Sequence, residues 1–102
     1  MELITVDEVK ARMDAGETLN LLDVREPDER EQFNIGGKFL PVGQILSMQT
    51  EEIEDWKDTE VICYCRSGQR SMRAALFMET MGFTNVKNLA GGMLEWQAKF
   101  NG

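Results

Sequence analysis

A chain of 102 residues, 42% of them apolar, is long enough to bury one core and not two, so a single domain over residues 1–102 is expected. A net charge of −7 argues against non-specific nucleic-acid binding and against docking on anionic membranes, both of which need a basic surface. With no histidine and only two cysteines, a structural zinc site lacks ligands, a secreted disulfide scaffold is excluded, and nothing calls for a cofactor.

The N-terminal stretch MELITVDEVKARM carries acidic residues and no apolar run, so it does not read as a signal peptide. No segment approaches the ~20 apolar residues of a membrane helix, and a cytoplasmic location is expected. Leu3-Ile4 is a short strand. Thr5 opens a helix through the capping box TVDE, with Val6, Val9 and Met13 at helical spacing and Gly16 as its stop. Thr18 to Val24 reads as a buried strand. Pro27 suits the first turn of a short helix through PDEREQF. NIGGKFLPV holds a Gly-Gly turn and a brief strand ending near Pro41. Gln44 to Trp56 is predicted helical in two pieces, broken near Thr50. Glu60 to Cys65 is the clearest strand, β-branched and aromatic, ended by RSG. Ser71 to Met81 is the strongest helix, with Gly82 at its C′ position and Met72, Met78 and Met81 expected in the core. Val86 to Leu89 is a last strand, AGG turns the chain, and Met93, Trp96 and Phe100 mark a final amphipathic helix. Strands alternating with helices predict a parallel sheet covered by helices on both faces, with ligands bound at the C-terminal edge of its strands.

Cys65 falls on that edge, followed by the loop Arg66, Ser67, Gly68, Gln69 and Arg70 and then a helix. A curled loop at a helix N-terminus can point several N–H groups inward, and the helix dipole adds partial positive charge there. Arg66 and Arg70 are expected to add full charges. All three favour thiolate over thiol, so Cys65 is the candidate nucleophile. Cys63, inside the strand, reads as an inert buried thiol. It projects to the same face as Cys65, and the strand holds the two apart, which disfavours a disulfide. Arg73, within the helix, reads as a surface or salt-bridge residue.

Three segments together resemble the rhodanese-like family of sulfurtransferases: LLDVREPDERE (Leu21 to Glu31), CRSGQRS (Cys65 to Ser71) and LAGGMLEW (Leu89 to Trp96). The resemblance covers nearly the whole chain. It implies a central, five-stranded parallel sheet. It also implies that Cys65 accepts a sulfane sulfur as a persulfide and passes it on, with the loop from Arg66 to Arg70 holding the substrate. The implied donor is a small anion such as thiosulfate. The implied acceptor is a thiol or cyanide, a partner protein's cysteine included. Mercaptopyruvate is disfavoured, because family enzymes that use it tend to have an uncharged loop. The sequence departs from the family where a histidine and Ile-Pro-Gly are usual: Asn34 and Gly36 stand there in NIGGK.

Two other readings compete. A cysteine phosphatase or arsenate reductase uses a Cys-x5-Arg loop whose arginine clamps an oxyanion. Here the arginine comes one position early, at Arg70, and Ser71 occupies the phosphatase position. A non-catalytic binding or regulatory module is the other, although such domains usually lack the cysteine that Cys65 supplies. For Arg70 the alternative to donor contact is a bracing pair with a carboxylate such as Asp23 or Glu26.

Overall fold

The computed structural model describes residues 1–101. Its centre is a five-stranded, wholly parallel sheet in the order β1-β5-β4-β2-β3. The strands are β1 (Glu2–Ile4), β2 (Leu21–Asp23), β3 (Lys38–Phe39), β4 (Glu60–Tyr64) and β5 (Asn85–Leu89). The helices are α1 (Val6–Asp14), α2 (Pro27–Gln32), α3 (Val42–Leu46), α4 (Gln69–Thr80) and α5 (Gly92–Phe100), with a 3-10 helix at Glu51–Trp56.

The central strand shows why helices cover both faces. The four β4 positions from Val61 to Tyr64, and Cys65 just beyond them, are buried, and successive side chains point to opposite faces. Val61, Cys63 and Cys65 enter one core with Ile45, Ile53, Ala74, Ala75 and Met78 from α3, the 3-10 helix and α4. Ile62 and Tyr64 enter the other with Val6, Val9, Met93 and Trp96 from α1 and α5. The predicted α/β class, the parallel sheet and the helices on both faces are therefore present. Among the described residues no helix is long and apolar enough to cross a membrane.

Several boundaries differ from expectation. β2 is shorter than Thr18 to Val24, because its ladder with β4 starts only where the Asn20 carbonyl accepts from the Ile62 N–H at 2.8 Å. The helical stretch predicted from Gln44 begins earlier, at Val42 behind Pro41, and breaks where Met48 turns left-handed at φ 63°. α4 starts at Gln69 rather than Ser71, because Gly68 adopts φ 98° and serves as the residue before its first turn. Gly82 does end that helix, with the Phe83 N–H reaching back to the Met78 carbonyl at 3.2 Å. Met72 corrects the expected core. The buried stripe of α4 is Ser71, Ala74, Ala75 and Met78, and Met72 lies off it at 41% exposure. Met81 is half-buried against that core, and Arg73 is exposed.

Candidate active site

Cys65 continues β4 beyond its last ladder residue, Tyr64, between the C-terminal ends of β5 and β2. The chain then curls into the loop and enters α4. Gly68 makes the curl possible, since few other residues tolerate its positive φ. Its N–H donates to Cys65 Sγ at 3.1 Å. The Ser71 N–H donates at 3.4 Å and the Ser71 hydroxyl at 3.3 Å.

The orientation of these donors has a source on the far side of the loop. The first N–H groups of α5 lack partners within their own helix. Met93 donates to the Cys65 carbonyl at 2.9 Å and Leu94 to the Arg66 carbonyl at 3.0 Å. A trans peptide places its C=O and N–H on opposite sides. Turning the Arg66 carbonyl toward α5 therefore turns the Ser67 N–H the other way, toward the sulfur. Gly92 permits this contact: a Cβ there would stand 2.4 Å from the Cys65 carbonyl oxygen. The LAGG segment thus shapes the loop by backbone approach alone.

Burial of the sulfur, only 1% exposed as a residue, pushes the thiol up. The hydrogen bonds from Ser71, by hydroxyl and N–H, and from the Gly68 and Ser67 N–H groups outweigh it, so the Cys65 pKa lies below the ordinary thiol value. Cys63 contrasts with it. Complete burial pushes its thiol up to about 12, and its Sγ lies 3.8 Å from Met78 Sδ.

Of the two loop arginines, Arg70 takes the bracing alternative instead of adding a free charge beside the sulfur. Arg70 makes a bidentate pair with Glu29 of α2, at 2.7 and 2.8 Å. Its hydrogen bonds hold the Glu29 carboxyl at about 2. Arg70 senses the charge on Cys65, but Glu29 offsets its own charge. Its carboxylate partner is Glu29, not Asp23 or Glu26. Asp23 is fully buried and taken by Arg25, at 2.8 and 2.9 Å, and by Arg30 at 3.3 Å. Arg66 and Ser67 are exposed, as is Gln69 in the first turn of α4. No hydrogen bond or ion pair engages the Arg66 side chain among the described residues. Asn34, at the family's histidine position, shapes its own turn by accepting from the Gly36 N–H at 2.8 Å.

A groove of about 340 Å³ lies beside the loop, bordered by Arg25, Glu29, Phe33, Arg66 and Leu94. A larger one, about 550 Å³, lies between the 3-10 helix and α4 and contains no loop residue. Sequence reasoning missed three residues of the site. Ser71 donates to the sulfur, Glu29 braces Arg70, and Asn88 of β5 bonds both Ser71 and the Gly68 carbonyl. The one available signal was Asn88 itself, an asparagine inside a predicted strand, where that residue type is depleted.

Ser71→Ala is expected to raise the pH midpoint of Cys65 alkylation. A hydrogen bond to a charged group is worth about 1.5–3 kcal/mol, equivalent to roughly one to two pH units. An unmoved midpoint removes Ser71 from the groups that hold the thiolate.

A family model for the rhodanese-like domain matches residues 5–99. A provisionally named sulfur carrier protein of Bacillus subtilis, YrkF, is 37% identical over 97 residues, covering 94% of this chain and 51% of its own. A provisionally named mitochondrial thiosulfate sulfurtransferase of Schizosaccharomyces pombe is 38% identical over 90 residues, covering 78% of this chain and 63% of its own. The chain therefore spans between half and two-thirds of these relatives. The crystal structure of a rhodanese-like domain protein from Staphylococcus aureus superposes with a TM-score of 0.80 at 26% identity, covering 94% of this chain and 91% of that one.

Proposed function

The chain belongs to the rhodanese-like domain family, and on that premise we propose that it is a sulfurtransferase working through a persulfide on Cys65. The observation that carries the proposal is the ring of donors from Gly68 and Ser71 around one buried sulfur. The names of the two curated relatives, one a sulfur carrier and one a thiosulfate sulfurtransferase, support the same chemistry.

With thiosulfate as donor, the Cys65 thiolate attacks the outer sulfur. An S–S bond forms, the bond to the sulfonate group breaks, and its electron pair leaves with sulfite. The terminal sulfur of the persulfide then carries the negative charge, and the inward N–H groups offer it hydrogen bonds. An acceptor thiolate or cyanide attacks that terminal sulfur, and the S–S electron pair returns to Cys65. The exchange is a ping-pong reaction that needs no separate general base, metal or cofactor. A nucleophile in a residue only 1% exposed suits transfer of a single atom better than contact with a bulky group. The acceptor is a small thiol, cyanide or a cysteine of a partner protein.

A phosphatase reading has less support. The position of the phosphatase arginine holds Ser71, and the neighbouring Arg70 is taken by Glu29 instead of turning inward as an oxyanion clamp.

The arginines divide the work of donor use. Arg66, exposed on the groove rim, is the cation left to attract an anion on a chain of net charge −7. Arg66→Ala is expected to lower kcat/KM for thiosulfate about ten- to a hundredfold, the equivalent of one lost contact to a charged group. A neutral persulfide donor should lose much less. Arg70→Ala should cost all donors alike, because its pair with Glu29 holds the loop. Rates of Cys65 persulfide formation across a panel of charged and neutral donors test both. Failure of every sulfane donor to discharge on the wild-type protein would overturn the sulfurtransferase reading.

A further inference from the structure

Asn88 stands on β5 at 2% exposure, where a polar amide is costly unless fully bonded. Its Nδ2 donates to the Gly68 carbonyl at 2.9 Å. A carbonyl cannot donate, so this bond fixes which end of the amide is nitrogen. The Asn88 Oδ1 is thereby turned to the Ser71 hydroxyl, with which it is hydrogen-bonded. The same hydroxyl lies 3.3 Å from Cys65 Sγ. A serine hydroxyl has one proton to donate, while an amide oxygen and a thiolate only accept. Two acceptors share one donor.

We propose that Asn88 is a positioning residue for Cys65: it competes with the sulfur for the single Ser71 proton, and so sets how strongly the thiolate is held relative to the persulfide. In the thiolate, the full charge sits on Sγ and draws the hydroxyl. In the persulfide, that charge has moved to the terminal sulfur, and Sγ is a weak, neutral acceptor. The hydroxyl then turns to Asn88, which keeps the buried Oδ1 satisfied. When an acceptor takes the terminal sulfur, the S–S electron pair returns to Sγ and the hydroxyl turns back. The cycle is a rotation of one O–H bond and consumes nothing. The consequence for turnover rests on the proposed persulfide chemistry, whereas the competition itself does not.

Other charged groups near Cys65 stay constant in the test. Arg66 belongs to the loop and Arg70 to the first turn of α4, Glu29 of α2 pairs with Arg70, and Arg25 is paired with Asp23 at the end of β2. Glu95 belongs to the first turn of α5, and the Cys63 thiol shares the strand and core of Cys65.

The test is a double-substitution cycle read by the pH midpoint of Cys65 alkylation with iodoacetamide. The four proteins are the wild type, Asn88→Leu, Ser71→Ala and the double variant. Loss of the Gly68 anchor affects the midpoint equally with and without Ser71. Loss of the competing Oδ1 acts only where the hydroxyl is present. The expected result is that Asn88→Leu moves the midpoint lower with Ser71 present than in the Ser71→Ala chain, by about half a pH unit, a fraction of one charged hydrogen bond. Asn88→Ala asks the same question should leucine not fit. Equal shifts in both backgrounds, or a larger upward shift with Ser71 present, overturn the proposal and leave Asn88 as a loop anchor only. The readout needs no sulfur donor. A chain that forms no persulfide yet shows the coupling loses its proposed function and keeps this competition, while a persulfide-forming chain without the coupling loses only the competition.

Discussion

Cys65→Ser is expected to reduce sulfur transfer roughly 10³-fold or more, equivalent to about 4 kcal/mol of barrier, while the protein stays folded. The reaction needs an atom that is anionic near neutral pH and can hold a second sulfur. The Cys65 sulfur meets both needs, with its pKa lowered by Ser71, Gly68 and Ser67 against the cost of burial. A serine hydroxyl stays protonated in the same ring of donors. Cys65 is 1% exposed and counts among the core residues, yet its surroundings are polar on the loop side, so the substituted hydroxyl finds hydrogen bonds. The stability cost should stay near ~1 kcal/mol. Cys63→Ser reverses the pattern. It puts a hydroxyl into the apolar core beside Met78, which costs about 1–3 kcal/mol, and activity per folded molecule should stay close to wild type. Thermal melts and sulfur-transfer rates on the two variants separate a nucleophile from a packing residue. Retained transfer in Cys65→Ser would end the account.

Asp23→Ala is expected to be among the most destabilising single changes in the molecule. Its carboxylate is fully buried and accepts from Arg25 at 2.8 and 2.9 Å. Arg25 is itself only 4% exposed and lies over the Tyr64 ring at 5.5 Å. Removing the carboxylate leaves that guanidinium buried with the Phe33 carbonyl, at 2.6 Å, and no directly bonded counter-charge. Breaking one side of a buried pair costs about 3–5 kcal/mol, a large share of the ~5–15 kcal/mol that holds a typical domain. At roughly 4–8 °C per kcal/mol for a chain of this size, the melting temperature should fall by at least ~12 °C. Lys99→Ala supplies the contrast. Its pair with Asp7 is 44% and 61% exposed, and such surface pairs contribute about 0–1 kcal/mol. Similar melting temperatures for the two variants would mean that the buried pair is not what ties β2 to the groove wall.

The elements that carry local signals were legible in the sequence. The run VICYC bounded by RSG marked β4 and placed Cys65 on the sheet edge. TVDE marked the start of α1, where Thr5 does accept from the Glu8 N–H at 3.1 Å. The AGG turn marked the entry to α5. What stayed hidden is what the fold brings together from a distance. Arg70 and Glu29 are 41 positions apart, and Asn88 and Ser71 are 17 apart. No periodicity relates them, so the carboxylate that braces Arg70 could not be picked out, and the asparagine on β5 gave no sign of which groups it bonds. The same gap explains the misjudged electrostatics. Counting nearby cations credits the arginines with stabilising the thiolate. The fold instead assigns most of that to N–H groups and one hydroxyl, oriented by α5 through contacts with the Cys65 and Arg66 carbonyls. Met72 shows a subtler limit, since the apolar run on α4 is wider than the stripe the sheet covers.

The central claim is that Cys65 carries sulfur, and peptide-resolved mass spectrometry tests it most directly. The protein is incubated with thiosulfate in the absence of reductant, trapped with an alkylating agent and digested. The account predicts a gain of one sulfur atom on Cys65 and none on Cys63, lost again when a thiol or cyanide is added. Added sulfur on Cys63, or an unmodified Cys65 with every sulfane donor offered, would contradict it.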